Sequence, residues 1–275
     1  MWGFFCYEIF LYINSMKKGI TLVIPIYNKQ ICLRNTLDSV LKNHGEYPFK
    51  CILVDDDSDD SWSSVIAEEY DVKYPDIFMY IKRKHHEIKV PSQARNVGIK
   101  LADTEYIAFL DADDELCGGF IDRGCSFLDN HPEYSMYGNG NITRIIDEKG
   151  DKFECEWKYM KDDIHTFLEY VSCGGSLVCF CANIYRTELV KNNLFEDEYG
   201  EDALFQLKYV YRNEPIYIDN STCQSFIYNR QYSESVKPTV NMFKLLEEKI
   251  PDIKYVFHVD ENNVVWYKMK EKSPD

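Results

Sequence analysis

Three short stretches carry residues of the kind that hold cations and move protons. In YIAFLDADDEL, residues 106–116, an apolar run ends in Asp111, Asp113 and Asp114. Carboxylates at i and i+2, where a strand breaks into a turn, reach a common point beyond the strand end. Mg²⁺ and Mn²⁺ take one or two such carboxylates and complete their shell with substrate phosphates. Capping of a following helix by Asp113 or Asp114 explains the same residues equally well. In LVDDDSDD, residues 53–60, Asp55 closes a second apolar run. A charge there is costly unless it meets a donor, such as a base or a ribose hydroxyl. Asp57, Asp59 and Asp60 read as loop and N-cap residues. In YGEDALF, Glu201 and Asp202 open a helix, where acids also simply suit the dipole.

Two further stretches offer contacts. In PIYN, Pro25 is expected to terminate pairing of the first strand, with Tyr27 and Asn28 at its tip. An exposed Tyr27 can stack on a nucleobase, although core packing is the fate of most of the 21 tyrosines. In PSQARNVGI, Arg95 lies on the first turns of a helix, placed to pair with a phosphate, with the strand-end acids, or with solvent alone. The basic run KRKHHE (82–87) holds His85 and His86 side by side, and no catalytic role is read there.

The elements that must position these residues follow from hydropathy patterning. ITLVIPIY (20–27), KCILVDD (50–56), IFMYIKRK (77–84) and YIAFLDAD (106–113) read as buried strands. Between them lie helical stripes: Leu33, Leu37, Val40 and Leu41; then Trp62, Val65, Ile66 and Tyr70, capped by Ser58 or Ser61; then Ala94, Val97, Gly98 and Leu101 after Pro91. The alternation predicts an α/β fold with a mostly parallel, Rossmann-like central sheet flanked by helices. Ligands in such sheets bind beyond the carboxyl ends of the strands, so both acid clusters face one cleft. After residue 120 the pattern loosens. A hairpin over 138–160 turns at Lys149-Gly150-Asp151, and GGSLVCFCANIYR reads as a strand. A helix over Glu201–Arg212 points Ala203, Leu207, Val210 and Tyr211 inward, and a last amphipathic helix precedes a polar end.

With 275 residues, 45% of them apolar, the chain builds its core without disulfides. A net charge of −15 argues against nucleic acid or an anionic membrane as main partner. The ten cysteines form no CxxC pair and no zinc spacing; Cys179 and Cys181 read as small buried groups in a reducing compartment. The first fifteen residues are apolar but too short to span a bilayer, and Met16 opens what looks like an ordinary start. The expected organisation is an extension over 1–16, a domain over 17–236 with halves 17–120 and 121–236, and a C-terminal helix and tail over 237–275. Without a transmembrane run, cytoplasmic or membrane-peripheral placement is expected.

Taken together, these motifs resemble the family 2 glycosyltransferases, inverting enzymes with a GT-A fold. TLVIPIYN is similar to that family's opening strand. ILVDDDSDD matches V-D-D-G-S-x-D, with Asp57 where glycine is usual, and ARNVGIKLADTEYIAFLDADD matches A-R-N-x-G…F-L-D-x-D-D. NIYRTELVKNNLFEDEYGEDALF resembles the stretch ending in the family's Glu-Asp pair, and IYNRQYSESV its Y-x-Y-R…S-x-S segment. The resemblance implies a nucleotide-sugar donor, a UDP-sugar, held by Pro25, Tyr27, Asp55, Arg95 and Asp111. It implies a divalent metal, Mn²⁺ or Mg²⁺, on Asp113 and Asp111, Asp202 as general base, and Glu201 at the acceptor. The acceptor it implies is a glycan, a polysaccharide end or a lipid-linked saccharide. A sugar nucleotidyltransferase is the alternative, but PIYNKQ lacks its glycine-rich loop; an inactive binding module would lose acids that this chain keeps.

Overall fold

The computed structural model describes residues 17–43, 45–60, 62–84, 90–146, 152–157, 163–172, 180–198, 200–219, 226–229, 242–250, 253, 255–259 and 265–269. Strand β1 (Lys17–Ile26) is the central element. Ile20, Leu22, Val23, Ile24 and Ile26 are all fully buried, so neither face of the strand meets water. Such a strand needs cover on both sides, which parallel crossovers supply. Strands β2 (Phe49–Asp56) and β4 (Thr104–Phe109) flank it in parallel, and β3 (Phe78–Arg83) pairs outside β2. The register sets Ile26 beside Asp55 and Val23 beside Phe109, which brings the carboxyl ends to one edge. Pro25 does not end the pairing with β2, which continues to Ile26; the β4 ladder stops at Val23. A proline lacks only its own N–H, so the neighbouring residues keep their bonds.

The crossovers are α1 (Leu33–Leu41), α2 (Ser63–Lys73) and α3 (Ser92–Leu101). α1 buries Leu33, Leu37 and Val40, as its stripe predicts. α2 is rotated from its expected stripe: Ile66, Ala67 and Tyr70 are buried while Trp62 and Val65 are exposed. α3 differs more. Leu101 is exposed, and Arg95 and Asn96 join Ala94, Gly98 and Ile99 in the interior. Gly98 sets the spacing: a Cβ there would lie 2.3 Å from Val23 Cγ1, so α3 rests with its backbone against β1.

The second half extends the sheet with β6 (Met136–Asn139), β9 (Asp163–Ile164), β10 (Asn183–Arg186) and β11 (Tyr217–Asp219), in the order β3-β2-β1-β4-β10-β6-β11-β9. β10 is antiparallel to both neighbours, and the sheet remains mostly parallel. A second sheet joins β5 (Glu115–Leu116), β12 (Phe226–Asn229) and the hairpin β7 (Asn141–Ile146)–β8 (Lys152–Trp157). Helices α4 (Phe120–Asn130), α5 (Phe167–Ser172), α6 (Thr187–Lys191) and α7 (Glu201–Asn213) cover these strands. The strand expected through residues 174–186 is confined to β10; Phe180–Ala182, with Cys181, form a 3₁₀ turn. α7 buries every residue from Leu204 to Val210, a wider face than the expected stripe, and Ala203 and Tyr211 are half-buried.

After α8 (Met242–Lys249), the expected polar end carries a hairpin, β13 (Tyr255–Val259) and β14 (Val265–Met269). Leu246 and Ile250 are buried, and Lys249 pairs with Glu196 and Glu198, so α8 is tied to the rest. His85, His86, Cys179, Ser61, the Lys149–Asp151 turn and residues 1–16 lie outside the described residues.

The contact at Gly98 is testable. Gly98→Ala is expected to destabilise the protein by about 1–3 kcal/mol, because the methyl must push α3 off β1. A lower urea midpoint at unchanged m-value is the measurement.

Candidate functional site

The loops after β1 and β2 are laced together. Asn28 has a φ of 53°, in the left-handed region that asparagine tolerates. Its Oδ1 accepts the N–H groups of Asp59 (3.0 Å) and Asp60 (3.1 Å), and its own N–H reaches Ser58 Oγ at 3.1 Å. Asp60 accepts the N–H groups of Trp62 and Ser63 at the start of α2, while Ser58 accepts the Asn28 N–H instead of capping the helix. Asp57 has a φ of 64°, which explains why glycine suits that position.

Asp55 has no exposed surface. Its carboxylate accepts the Ser58 N–H at 2.8 Å, the Ser64 hydroxyl and the Tyr80 hydroxyl at 3.0 Å, with Lys82 Nζ 3.9 Å away. These donors answer the cost of burying its charge. A base contact through Asp55 would exchange one of them. Asp56 is ion-paired with Arg83. Tyr27 is half-buried and directly follows β1.

At the end of β4 the chain turns through Asp111–Asp114, closed by the Asp114 N–H on the Asp111 carbonyl at 3.0 Å. The next element is β5, and α4 begins only at Phe120, so Asp114 does not cap a helix. Its side chain is buried instead. Single ligand atoms of Asp111, Asp114 and Cys181 lie within 4.8 Å of one another. Asp113 faces Lys29, with Oδ2 3.0 Å from Nζ. Burial, then the neighbouring Asp111 charge, pushes the Asp113 carboxyl above its ordinary range, and Lys29 opposes them.

Arg95 joins the two halves of the chain. Nη2 donates to Asp111 Oδ1 at 2.8 Å and Nη1 to Glu201 Oε1 at 2.6 Å. Asp111 is 41% exposed, whereas the Arg95 and Glu201 side chains are 4% and 9% exposed, so the pair is buried and Asp111 opens outward. The guanidinium lies 4.9 Å from the Phe180 ring and 5.3 Å from Phe195. Burial works against its charge, but Asp111 and Glu201 more than offset this and hold its pKa above the usual value. Glu201 is pushed up by burial, with Arg95 pulling down and Asp202 pushing up. Asp202 is half-buried in the first turn of α7, its Oδ1 accepting the Ala203 N–H at 2.7 Å. The floor is aromatic: Phe195 stacks on Phe205 at 4.1 Å, and Phe109 from β4 packs on Phe180 at 4.8 Å.

The structure therefore gathers Asp111, Asp113, Arg95, Glu201 and Asp202 at one edge, with Tyr27 at the tip of the adjacent strand. Two carboxylates and an open side fit a hard divalent cation whose shell a substrate completes. Asp111 belongs to both the expected set and the observed cluster. Reasoning from sequence missed Asp114, Cys181 and Lys29. Asp114 is part of the Asp-rich motif and was visible; nothing in the order of residues points Cys181 or Lys29 at it.

Residues 21–193 match the family described as glycosyl transferase family 2. The minor teichoic acid biosynthesis protein GgaB of Bacillus subtilis is 36% identical over 211 residues, 69% of this chain and 21% of that protein. A GalNAc(5)-diNAcBac-PP-undecaprenol beta-1,3-glucosyltransferase of Campylobacter jejuni is 25% identical over 206 residues, 72% of this chain and 62% of that protein. The chain thus spans less than two thirds of either relative. Crystal structures of S. aureus TarS 1-349 share the fold; the one in complex with UDP-GlcNAc has a TM-score of 0.67 at 20% identity, covering 85% of this chain and 67% of that one. By the extent of the family match, the chain belongs to glycosyl transferase family 2.

Proposed function

We propose that this chain transfers a sugar from a nucleotide-sugar donor, a UDP-sugar, to a hydroxyl of a glycan or lipid-linked acceptor, with inversion. The observation that carries this reading is Arg95, which draws the donor-side Asp111 and the acceptor-side Glu201 into one cleft. Tyr27 and Pro25, with Asp55 behind them, form the base end. Asp111, with Asp113 or Asp114, would hold a divalent cation, which when bound offsets the charge on the departing diphosphate. Asp202 accepts the proton of the attacking hydroxyl, as a carboxylate half-buried in the first turn of α7 can. Glu201, held by Arg95, fixes that turn and the side from which the acceptor comes. One base and one displacement give inversion. Relatives named for teichoic acid biosynthesis and for an undecaprenol-linked substrate support a polymer or lipid-linked acceptor. Among the described residues no helix is long and apolar enough to cross a membrane.

A screen of nucleotide sugars by thermal shift with Mn²⁺ tests the donor. A UDP-sugar at 100 times its Kd is expected to stabilise the fold by about 2.7 kcal/mol, and a flat profile across all donors would sink the reading. Asp202→Asn is expected to lower kcat by about 10²–10⁴ while donor binding persists; full transfer activity would remove Asp202 as the base. Arg95→Met leaves Glu201 buried without its cation and is expected to cost about 3–5 kcal/mol near neutral pH. That cost should shrink as the pH falls, because the Glu201 carboxyl, already raised, then takes up a proton in the folded state. Urea unfolding of both proteins across this pH range is the check.

A further inference from the structure

The run FEDEYGED, residues 195–202, packs five carboxylates into the seven positions from Glu196 to Asp202. Like charges so close repel unless partners answer them. Helix α3 holds the start of the run. Asn96 Nδ2 donates to the Phe195 carbonyl and its Oδ1 accepts the Phe195 N–H, both at 2.9 Å. Ser92 Oγ donates to the Glu196 carbonyl at 2.8 Å, and Gln93 Nε2 donates to the Asp197 carboxylate. Lysines from two later helices meet the acids on either side of Asp197. Lys208 of α7 and Lys249 of α8 both pair with Glu196, Lys249 at 2.5 Å, and Lys249 also reaches Glu198 at 3.2 Å. Burial works against the Glu196 charge, but the two lysines more than offset it and hold the carboxyl below its usual range. Gly200 then turns the chain into α7 with a φ of 78°, in the left-handed region, and the next two residues are Glu201 and Asp202.

Resting on the reading of Asp202 as the base, we infer that Lys249 is a positioning residue: from α8, outside the family match over residues 21–193, it ties down the run that delivers Glu201 and Asp202 to the cleft. Arg95 and Asn96 are neighbours on α3, so one helix grips both Phe195 and Glu201. The residues between these grips form a span whose acids Lys208 and Lys249 hold. α8 gives Lys249 a firm base, because Leu246 and Ile250 on that helix are buried. Removing the ammonium leaves Glu196 with Lys208 alone and takes the lysine from Glu198. The Lys249 side chain is 31% exposed, and ion pairs of that kind add little to the stability of a whole fold. The effect therefore falls on the run and on the orientation of Asp202, where a displacement of about 1 Å is enough to slow transfer. The base end of the donor site lies on the loops after β1 and β2, so donor binding is expected to persist.

The test compares Lys249→Met with wild type, both as the full chain. Amide hydrogen exchange over residues 195–205 is expected to rise several-fold, with β1, β2 and β4 unchanged. The urea midpoint is expected to stay at the wild-type value. Transfer from the UDP-sugar found by the donor screen is expected to fall about tenfold in kcat at an unchanged donor KM. Lys249→Arg, which keeps the charge, is expected to restore exchange and kcat together. Unchanged exchange, or faster exchange with an unchanged kcat, would overturn the inference. A lower urea midpoint with faster exchange throughout the chain would make Lys249 a general stabiliser and overturn it as well. A wild type that transfers from no nucleotide sugar would remove the function proposed above, and the exchange measurement then decides alone whether α8 holds this run.

Discussion

A guanidinium with almost no exposed surface has to be answered by carboxylates, and that requirement organises this molecule. Arg95 takes one oxygen from Asp111 at the end of β4 and one from Glu201 at the start of α7. Neither acid can move far without stranding a buried charge, so the two halves of the chain hold a fixed relation at the cleft. The aromatic rings beneath do the same work without charge. Phe109, Phe180, Phe195 and Phe205 come from four separate segments and meet under the guanidinium. Glu201 also explains its neighbour: with that residue pinned, Asp202 has its place in the first turn set by the helix itself.

The other end of the cleft is held by backbone groups. Asn28 and Asp57 both adopt left-handed conformations, one on each of two facing loops. The Asn28 side chain satisfies N–H groups of the β2–α2 loop, and Asp60 satisfies the first turn of α2 and the Gln30 N–H across the gap. Reciprocal hydrogen bonds hold the two loops against each other. Aspartates that look like a ligand set in the sequence are largely spent here: Asp55, Asp56 and Asp60 bind protein groups.

Strands β1, β2 and β4 were legible because they are continuous apolar runs, the last two of them followed by acids. The crossover helices were legible as elements, but their inward faces were not. Trp62, Val65 and Leu101 are exposed where hydropathy points them inward, and Arg95 is buried where it points outward. Arg95 is buried because two carboxylates answer its charge, and one of them, Glu201, is 106 residues away. The Lys29–Asp113 pair, 84 residues apart, was hidden for the same reason. Asp114 was misread because the next element is a two-residue strand, too short for any periodicity to show. Cys181 alternates with Cys179 like a strand residue, but a 3₁₀ turn carries it to the acids.

The topology also orders events in time. β1, β2, β3 and β4 follow one another along the chain, each joined to the next through one helix, and form one side of the sheet. β10 must return from much later in the chain to lie on β4, and only then can α7 bring Glu201 to Arg95. Closing so long a loop costs entropy that no early contact repays. A chain that has made only the first four strands therefore lacks Glu201 beside Arg95, and the guanidinium stays solvated. The Arg95–Glu201 contact is thus a product of the last long-range closure, and its presence reports that the early and late segments of the chain have come together.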